Sequence, residues 1–202
     1  MDSALQRRLI KAVAERVIAH AGELVALDQA IGDGDHGFNM QRGFETVLAE
    51  LDQYSALALD EALKRVGAAL VKSVGGASGP LYGTLFMALG RSLPPDTSRA
   101  GVALAFAAAV DAVKARGKSD VGQKTMLDVL VPVLRAVNES DGDLPSQLRA
   151  AAQAAAAATV PMRATRGRAS FLGERSIGHM DPGARSSELM VQAVADVMEG
   201  KA

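Results

Sequence analysis

The stretch Asp28-Gln-Ala-Ile-Gly-Asp-Gly-Asp-His-Gly37 lies between two runs of helical period, and that setting decides the fold class. Before it, Leu5, Leu9, Val13 and Val17 recur four apart, on one face of a helix that Ser3 can cap and that runs to about Leu27. After it, from just beyond Gly37, Met40, Phe44, Val47, Leu48 and Leu51 keep the same period. An Asp-x-Asp used as a phosphatase nucleophile follows a buried strand, and here a helix precedes it. An EF-hand loop starting at Asp33 needs a carboxylate at its twelfth position, where this chain has Phe44. Both alternatives fail on context, and the flanks point to an all-α chain.

The rest of the chain extends the pattern. A third helix is expected after a cap at Asp60, with Leu63, Val66, Leu70 and Val74 inside. A fourth carries Leu81, Leu85, Ala88 and Leu89 and ends at Pro94-Pro95. Ser98 opens a fifth with Val102, Phe106, Val110 and Val113 inward. The sixth spans about Thr125 to Asn138, with Pro132 expected to kink it. The seventh covers roughly Pro145 to Thr159, including the strongly helix-forming Ala154 to Ala158. The last begins near Ser186-Ser187 and buries Leu189, Val194 and Val197. No alternating strand pattern or Asn-Gly hairpin appears. The expectation is one domain over residues 1–202, an eight-helix antiparallel up-and-down bundle or barrel.

Charge and composition narrow the function classes. With 22 basic and 23 acidic residues the net charge is −1, so no global field draws the chain to nucleic acid or acidic membranes. The absence of cysteine excludes disulfides and thiolate chemistry. No apolar run reaches the roughly 18 residues of a membrane span, and the N-terminus lacks the apolar core of a signal peptide. A cytoplasmic protein is expected.

The chemistry candidates fall in the gaps between helices. In the first, Asp28, Asp33 and Asp35 are interleaved with glycines, which free the backbone to turn several side chains inward. Converging carboxylates repel unless a cation sits between them, and magnesium suits such hard, sparse oxygen ligands. Taken alone, the same residues suit a polar turn. The second, Gly75 to Thr84, puts glycines and Ser78 at a helix start, fit for an anion or simply for close helix packing. The third, Gly117-Lys-Ser-Asp-Val-Gly-Gln-Lys-Thr-Met126, superficially suggests a P-loop. Gln123 separates Gly122 from Lys124-Thr125 and no strand precedes it, so it reads as a polar loop with a capping Thr125. The fourth is the 26-residue aperiodic segment from Val160 to Arg185, which carries five arginines: Arg163, Arg166, Arg168, Arg175 and Arg185. A segment that long is usually a lid or binding loop, and arginine suits phosphate oxygens.

Asp28 to Gly43, Gly75 to Thr84, Gly122 to Pro132 and Gly167 to Ser187 together resemble the L (nucleotide-binding) subunit of dihydroxyacetone kinase, in the right order and over nearly the whole chain. That family has an eight-helix barrel with the nucleotide site at one end. The resemblance implies that Asp28, Asp33 and Asp35 hold two magnesium ions bridging the phosphates of ADP or ATP. His36, Gly37, Phe38 and Asn39 would lie along the nucleotide. Ala77 and Ser78 would meet the phosphates at a helix start, and Gly117 and Met126 would line the adenine and ribose side. Arg175 and Asp181-Pro182-Gly183 would fold over as a lid, with Arg168 a second candidate phosphate partner.

By that resemblance the chain is a phosphotransferase subunit without a catalytic residue of its own. The keto-sugar would be held covalently on a separate K subunit. ADP would stay bound and be rephosphorylated by a phosphocarrier (M) subunit of the phosphoenolpyruvate phosphotransferase system. Two alternatives remain: an ATP-dependent split kinase of a ketose such as erythrulose, and a regulatory nucleotide-binding module that transfers no phosphate. A homodimer is compatible with either.

Overall fold

The computed structural model describes residues 2–95 and 97–201, and among them there is no strand. Among the described residues ten α-helices follow one another: α1 (Ser3–Ala19), α2 (Ala21–Ile31), α3 (His36–Ala49), α4 (Leu51–Ser55), α5 (Leu59–Ser73), α6 (Ser78–Ser92), α7 (Arg99–Gly117), α8 (Leu127–Glu139), α9 (Leu144–Ala158) and α10 (Pro182–Met198). A 3-10 run, Arg168–Ser176, lies in the α9–α10 connection.

The described residues form ten helices where eight were expected, because one expected helix is split and one short helix is added. The first expected helix breaks at His20, whose Nδ1 lies 2.7 Å from the Arg16 carbonyl oxygen, so that α2 starts afresh one residue later. Leu51 belongs to the extra short helix α4 rather than to α3. Several caps also shift. Asp2, not Ser3, caps α1, accepting from the Ala4 N–H. Asp60 lies inside the first turn of α5, where Lys64 binds it instead. Asp181 caps α10 by accepting from the Ala184 N–H, several residues before the expected start. α8 runs unbroken through Pro132.

Helix contacts close on themselves. α1 packs on α3, α3 on α5, and then α5 to α10 each on the next, with α10 returning to α1. Leu24, Met40, Phe44, Leu70, Tyr82, Leu127 and Leu189 are buried in the shared core. Burial of such side chains contributes about 1.5–3 kcal/mol each relative to exposure. α2 lies against α3 and α10, and α4 bridges α1 and α5.

Neighbours joined by short links must run antiparallel. Counting α1 and α2 as one leg, the chain passes up and down around the ring. The links α2–α3, α5–α6, α7–α8 and α9–α10 then all fall at the same end. These are the four gaps that hold the acidic loop, the glycine-rich helix start, the Lys124 loop and the arginine-bearing segment.

Candidate metal and anion site

Asp28 lies on the last turn of α2, buried, and its Oδ2 accepts from the His36 N–H at 3.1 Å. Asp33 and Asp35 come from the short reversal that leads into α3. Gly34 takes φ +76° there, a left-handed conformation open to glycine, and so returns both carboxylates toward Asp28. One oxygen from each of the three lies within 4.8 Å of the others. Asp35 occupies the N-cap of α3 yet makes no side-chain capping bond, leaving its carboxylate to the cluster. Asp33 is approached by the Arg168 guanidinium, Nη1 to Oδ2 2.8 Å. Three like charges this close disfavour one another. A donor set of carboxylate oxygens alone, one buried and two open to solvent, fits a hard divalent cation that draws its remaining ligands from water or phosphate.

The floor beside the acids is an uncharged hydrogen-bonded network. His36 Nδ1 lies 3.0 Å from Ser78 Oγ, and Nε2 lies 3.0 Å from Ser186 Oγ. The Tyr82 hydroxyl is 2.7 Å from Ser186 Oγ and 2.9 Å from Ser187 Oγ, and it reaches the Gly183 carbonyl at 2.9 Å. Burial lowers the pKa of His36 against the pull of Asp28 and Asp35, which favours neutral imidazole. Burial pushes the Tyr82 phenol up to about 12. These bonds tie the start of α3, the start of α6 and the first turn of α10 to one point. Ser78 opens the 15-residue α6 beside the acids, so the positive end of a helix dipole faces the cleft.

The opposite wall comes from the α7–α8 and α9–α10 links. Asp128 on α8 is buried and accepts from the Gly122 and Thr125 N–H groups, which folds residues 122–125 into a tight hook. Met126, not Thr125, is the N-cap of α8, and Thr125 Oγ1 accepts from the Leu127 N–H from the position before it. Lys124, by contrast, is only 1% exposed and not part of a solvated polar loop. Arg166, Gly167 and Arg168 lie over the cleft. Asp181 is buried at its base, and desolvation, with Asp128 and Asp28 nearby, raises its carboxyl to about 7. A second depression continues from the same wall, lined by Leu81, Val113, Gly117 and Met126 among others.

Asp28, Asp33, Asp35, His36, Ala77, Ser78, Met126, Asp181, Pro182 and Gly183 all border the one cleft, and Gly117 borders the adjoining depression. Four other expected residues do not line it. At Gly37 a Cβ would sit 2.1 Å from the Ala21 carbonyl oxygen, so this glycine allows α3 to close on α2. Phe38 is 62% exposed. Asn39 is buried and accepts from Arg42 Nη2 at 2.8 Å. Arg175 is exposed, away from the cleft, and Arg166 and Arg168 stand there instead. Sequence reasoning missed Lys124, Asp128, Tyr82 and Ser186. Only a polar residue inside an apolar helix period, as at Asp128 and Tyr82, could have signalled them.

The sequence matches the DAK2 domain family over residues 30–196. It is 44% identical over 181 residues to the ADP-binding subunit of PEP-dependent dihydroxyacetone kinase 1 of Listeria innocua, covering 89% of each chain. To the ADP-binding subunit of the PEP-dependent dihydroxyacetone kinase of Escherichia coli it is 45% identical over 183 residues, covering 85% of this chain and 86% of the other. The fold is also similar to the crystal structure of the dihydroxyacetone kinase from C. freundii in complex with AMP-PNP and Mg2+, with TM-score 0.75 and 26% identity. That likeness spans 96% of this chain and 34% of the larger one. The chain belongs to the DAK2 domain family.

Proposed function

We propose that this chain is the ADP-binding subunit of a dihydroxyacetone-type kinase, a phosphotransferase component acting on a keto-sugar held by a separate K subunit. The observation that carries the reading is the cluster of Asp28, Asp33 and Asp35, one oxygen of each within 4.8 Å, at the mouth of a cleft shared with the α6 start and two arginines. We read the carboxylates as the ligands of two magnesium ions, which when bound would neutralise phosphate oxygens during transfer. Asp28 is fixed for this by the His36 N–H, and Asp33 and Asp35 by the turn at Gly34.

The chain's own residues supply positioning. The start of α6, with Ala77 and Ser78, offers backbone donors to the phosphates. Arg166 and Arg168 add charge from the other side, and the cleft's apolar extension past Gly117 and Met126 takes the base. Neutral His36, locked between Ser78 and Ser186, holds the floor without adding charge. Phosphoryl transfer asks little more of a protein than alignment and neutralisation. The proton of the sugar hydroxyl is left to the K subunit, and no general base is assigned here.

Bound ADP is read as a cofactor, rephosphorylated by a phosphocarrier subunit. The 44–45% identity to PEP-dependent subunits supports this over an ATP-exchanging kinase. In the test, titration calorimetry with ADP and magnesium should give tight binding that chelation abolishes. Asp35→Ala should remove both binding and ketose phosphorylation in a mixture with K subunit and phosphocarrier. Full transfer by Asp35→Ala would overturn the reading.

A further inference from the structure

Lys124 is the largest departure from the expected polar loop. Its side chain is buried and its backbone sits at φ +63°, a left-handed conformation unusual for a residue with a Cβ. Nζ donates at 2.8 Å to the Thr159 carbonyl, 3.0 Å to Met162, 2.8 Å to Ser176 and 2.5 Å to His179, with Val160 at 3.4 Å. An ammonium has three protons to share. Five carbonyls around it make a cation cage rather than a set of single bonds. Among the described residues no carboxylate comes within ion-pair distance of it; desolvation lowers its pKa, partly offset by the charge of Asp181.

All five carbonyls belong to residues 159–179. Without a cation their dipoles would crowd one buried point. That segment carries Arg166 and Arg168 over the cleft, and Lys124 itself borders the same cleft with Thr125 and Met126. Other bonds reinforce the arrangement nearby: Gly178 N–H to the Val160 carbonyl at 2.9 Å, Asp181 N–H to Thr159 Oγ1 at 3.1 Å, Thr165 N–H to the Gln123 carbonyl at 3.3 Å and Ala164 N–H to Ser176 Oγ at 2.8 Å, but none of them neutralises the converging carbonyls.

We propose that Lys124 is a positioning residue for the nucleotide site, its ammonium acting as an internal counter-cation that folds residues 159–179 and so holds Arg166 and Arg168 above the phosphates. The consequence for nucleotide rests on the reading above, but the ordering of the segment does not. Removing the ammonium leaves a carbonyl cage that suits a free monovalent cation.

The test has four arms on the full chain. Lys124→Met and Lys124→Ala should each weaken ADP–magnesium binding by about tenfold or more, the scale of lost hydrogen bonds to a charged group. Ammonium or potassium, but not tetramethylammonium, should restore affinity in Lys124→Ala and not in Lys124→Met, whose side chain fills the cage. Without nucleotide, hydrogen exchange across residues 159–179 should accelerate in both variants and slow again with ammonium in the alanine variant. This arm stands even if the wild-type chain binds no ADP. In wild-type protein, Lys124 should resist acetylation that modifies the surface lysines. Acetylation at the surface rate, or a folded Lys124→Met with wild-type exchange and affinity, would overturn the proposal. So would a lack of rescue by any small cation in folded Lys124→Ala.

Discussion

Asp181→Asn should change how stability depends on pH while leaving the α10 cap in place. Asp181 Oδ2 accepts from the Ala184 N–H at 2.7 Å, a role the Asn carbonyl oxygen can keep. In the fold the carboxyl is raised from 3.8 to about 7, first by burial and then by the neighbouring charges of Asp128 and Asp28. A raised pKa means that the native state holds its proton more firmly than the unfolded chain does. That contribution is complete below the unfolded value and is lost as pH rises through the folded value. Across pH 5 to 8 the loss amounts to roughly 2–3 kcal/mol, a slope near 1.4 kcal/mol per unit that flattens above 7. Wild-type and Asp181→Asn stabilities, from urea unfolding followed by far-ultraviolet circular dichroism with chelator present, should therefore diverge. The wild type loses about that amount relative to the variant between pH 5 and 8. Taking the difference between the two proteins cancels His36 and the other titrating groups they share. Parallel stability curves over this range would refute the assignment of a protonated, buried Asp181.

Two further predictions concern the same end of the ring. Gly37→Ala places a methyl 2.1 Å from the Ala21 carbonyl oxygen and 2.6 Å from Val25 Cγ2. Both α2 and α3 must shift, and a loss of about 1–3 kcal/mol is expected, read as a lowered Tm with magnesium affinity falling in parallel. Arg168→Gln should leave stability nearly unchanged, because the Arg168–Asp33 pair is 65% and 41% exposed and such pairs contribute about 0–1 kcal/mol. Its effects on ligands should have opposite signs. Magnesium alone should bind more tightly once the guanidinium no longer competes for Asp33, whereas ADP should bind more weakly for want of a phosphate partner. Calorimetry with each ligand separately checks both, and equal changes of one sign would remove Arg168 from the site.

What was legible in the sequence follows from which forces leave a local trace. The long helices show because burial imposes a 3.6-residue period on Leu70, Val110 and Leu189 alike. The acidic loop shows because Gly34 and its flanking aspartates form a compact local pattern. The break at His20 leaves no such mark, since no proline or glycine produces it. Lys124 stayed hidden for a different reason. Its partners are backbone carbonyls, which carry no residue identity, some 35 to 55 positions away. Which arginine of the 160–185 segment faces the cleft was not legible, because an aperiodic stretch gives no rule for which side faces inward. Arg175 and Arg168 differ in position on the 3-10 run, not in kind.

The end-to-end placement of the four gaps carries a further consequence. In a ring of alternating helices, every second link meets at one end, so residues from positions 28 to 183 converge there without long-range specificity in the sequence. Each link needs to be right only locally: a turn at Gly34, a helix start at Ser78, a hook folded by Asp128, a cap at Asp181. The opposite end, with α4 and the links α6–α7 and α8–α9, contributes no residue to the cleft. Stability and site are thereby separated along the helix axes. The core of Leu24, Phe44 and Leu70 fixes the ring, and the buried polar groups collect at the end where the chain leaves its helices. Two of those groups, Lys124 and Asp181, are ionisable, and burial works against the charge of each, met at Lys124 by five carbonyls and at Asp181 by a raised carboxyl pKa. An apolar filling would avoid both burial penalties, so ionisable groups buried together at this end support reading it as the functional end of the ring.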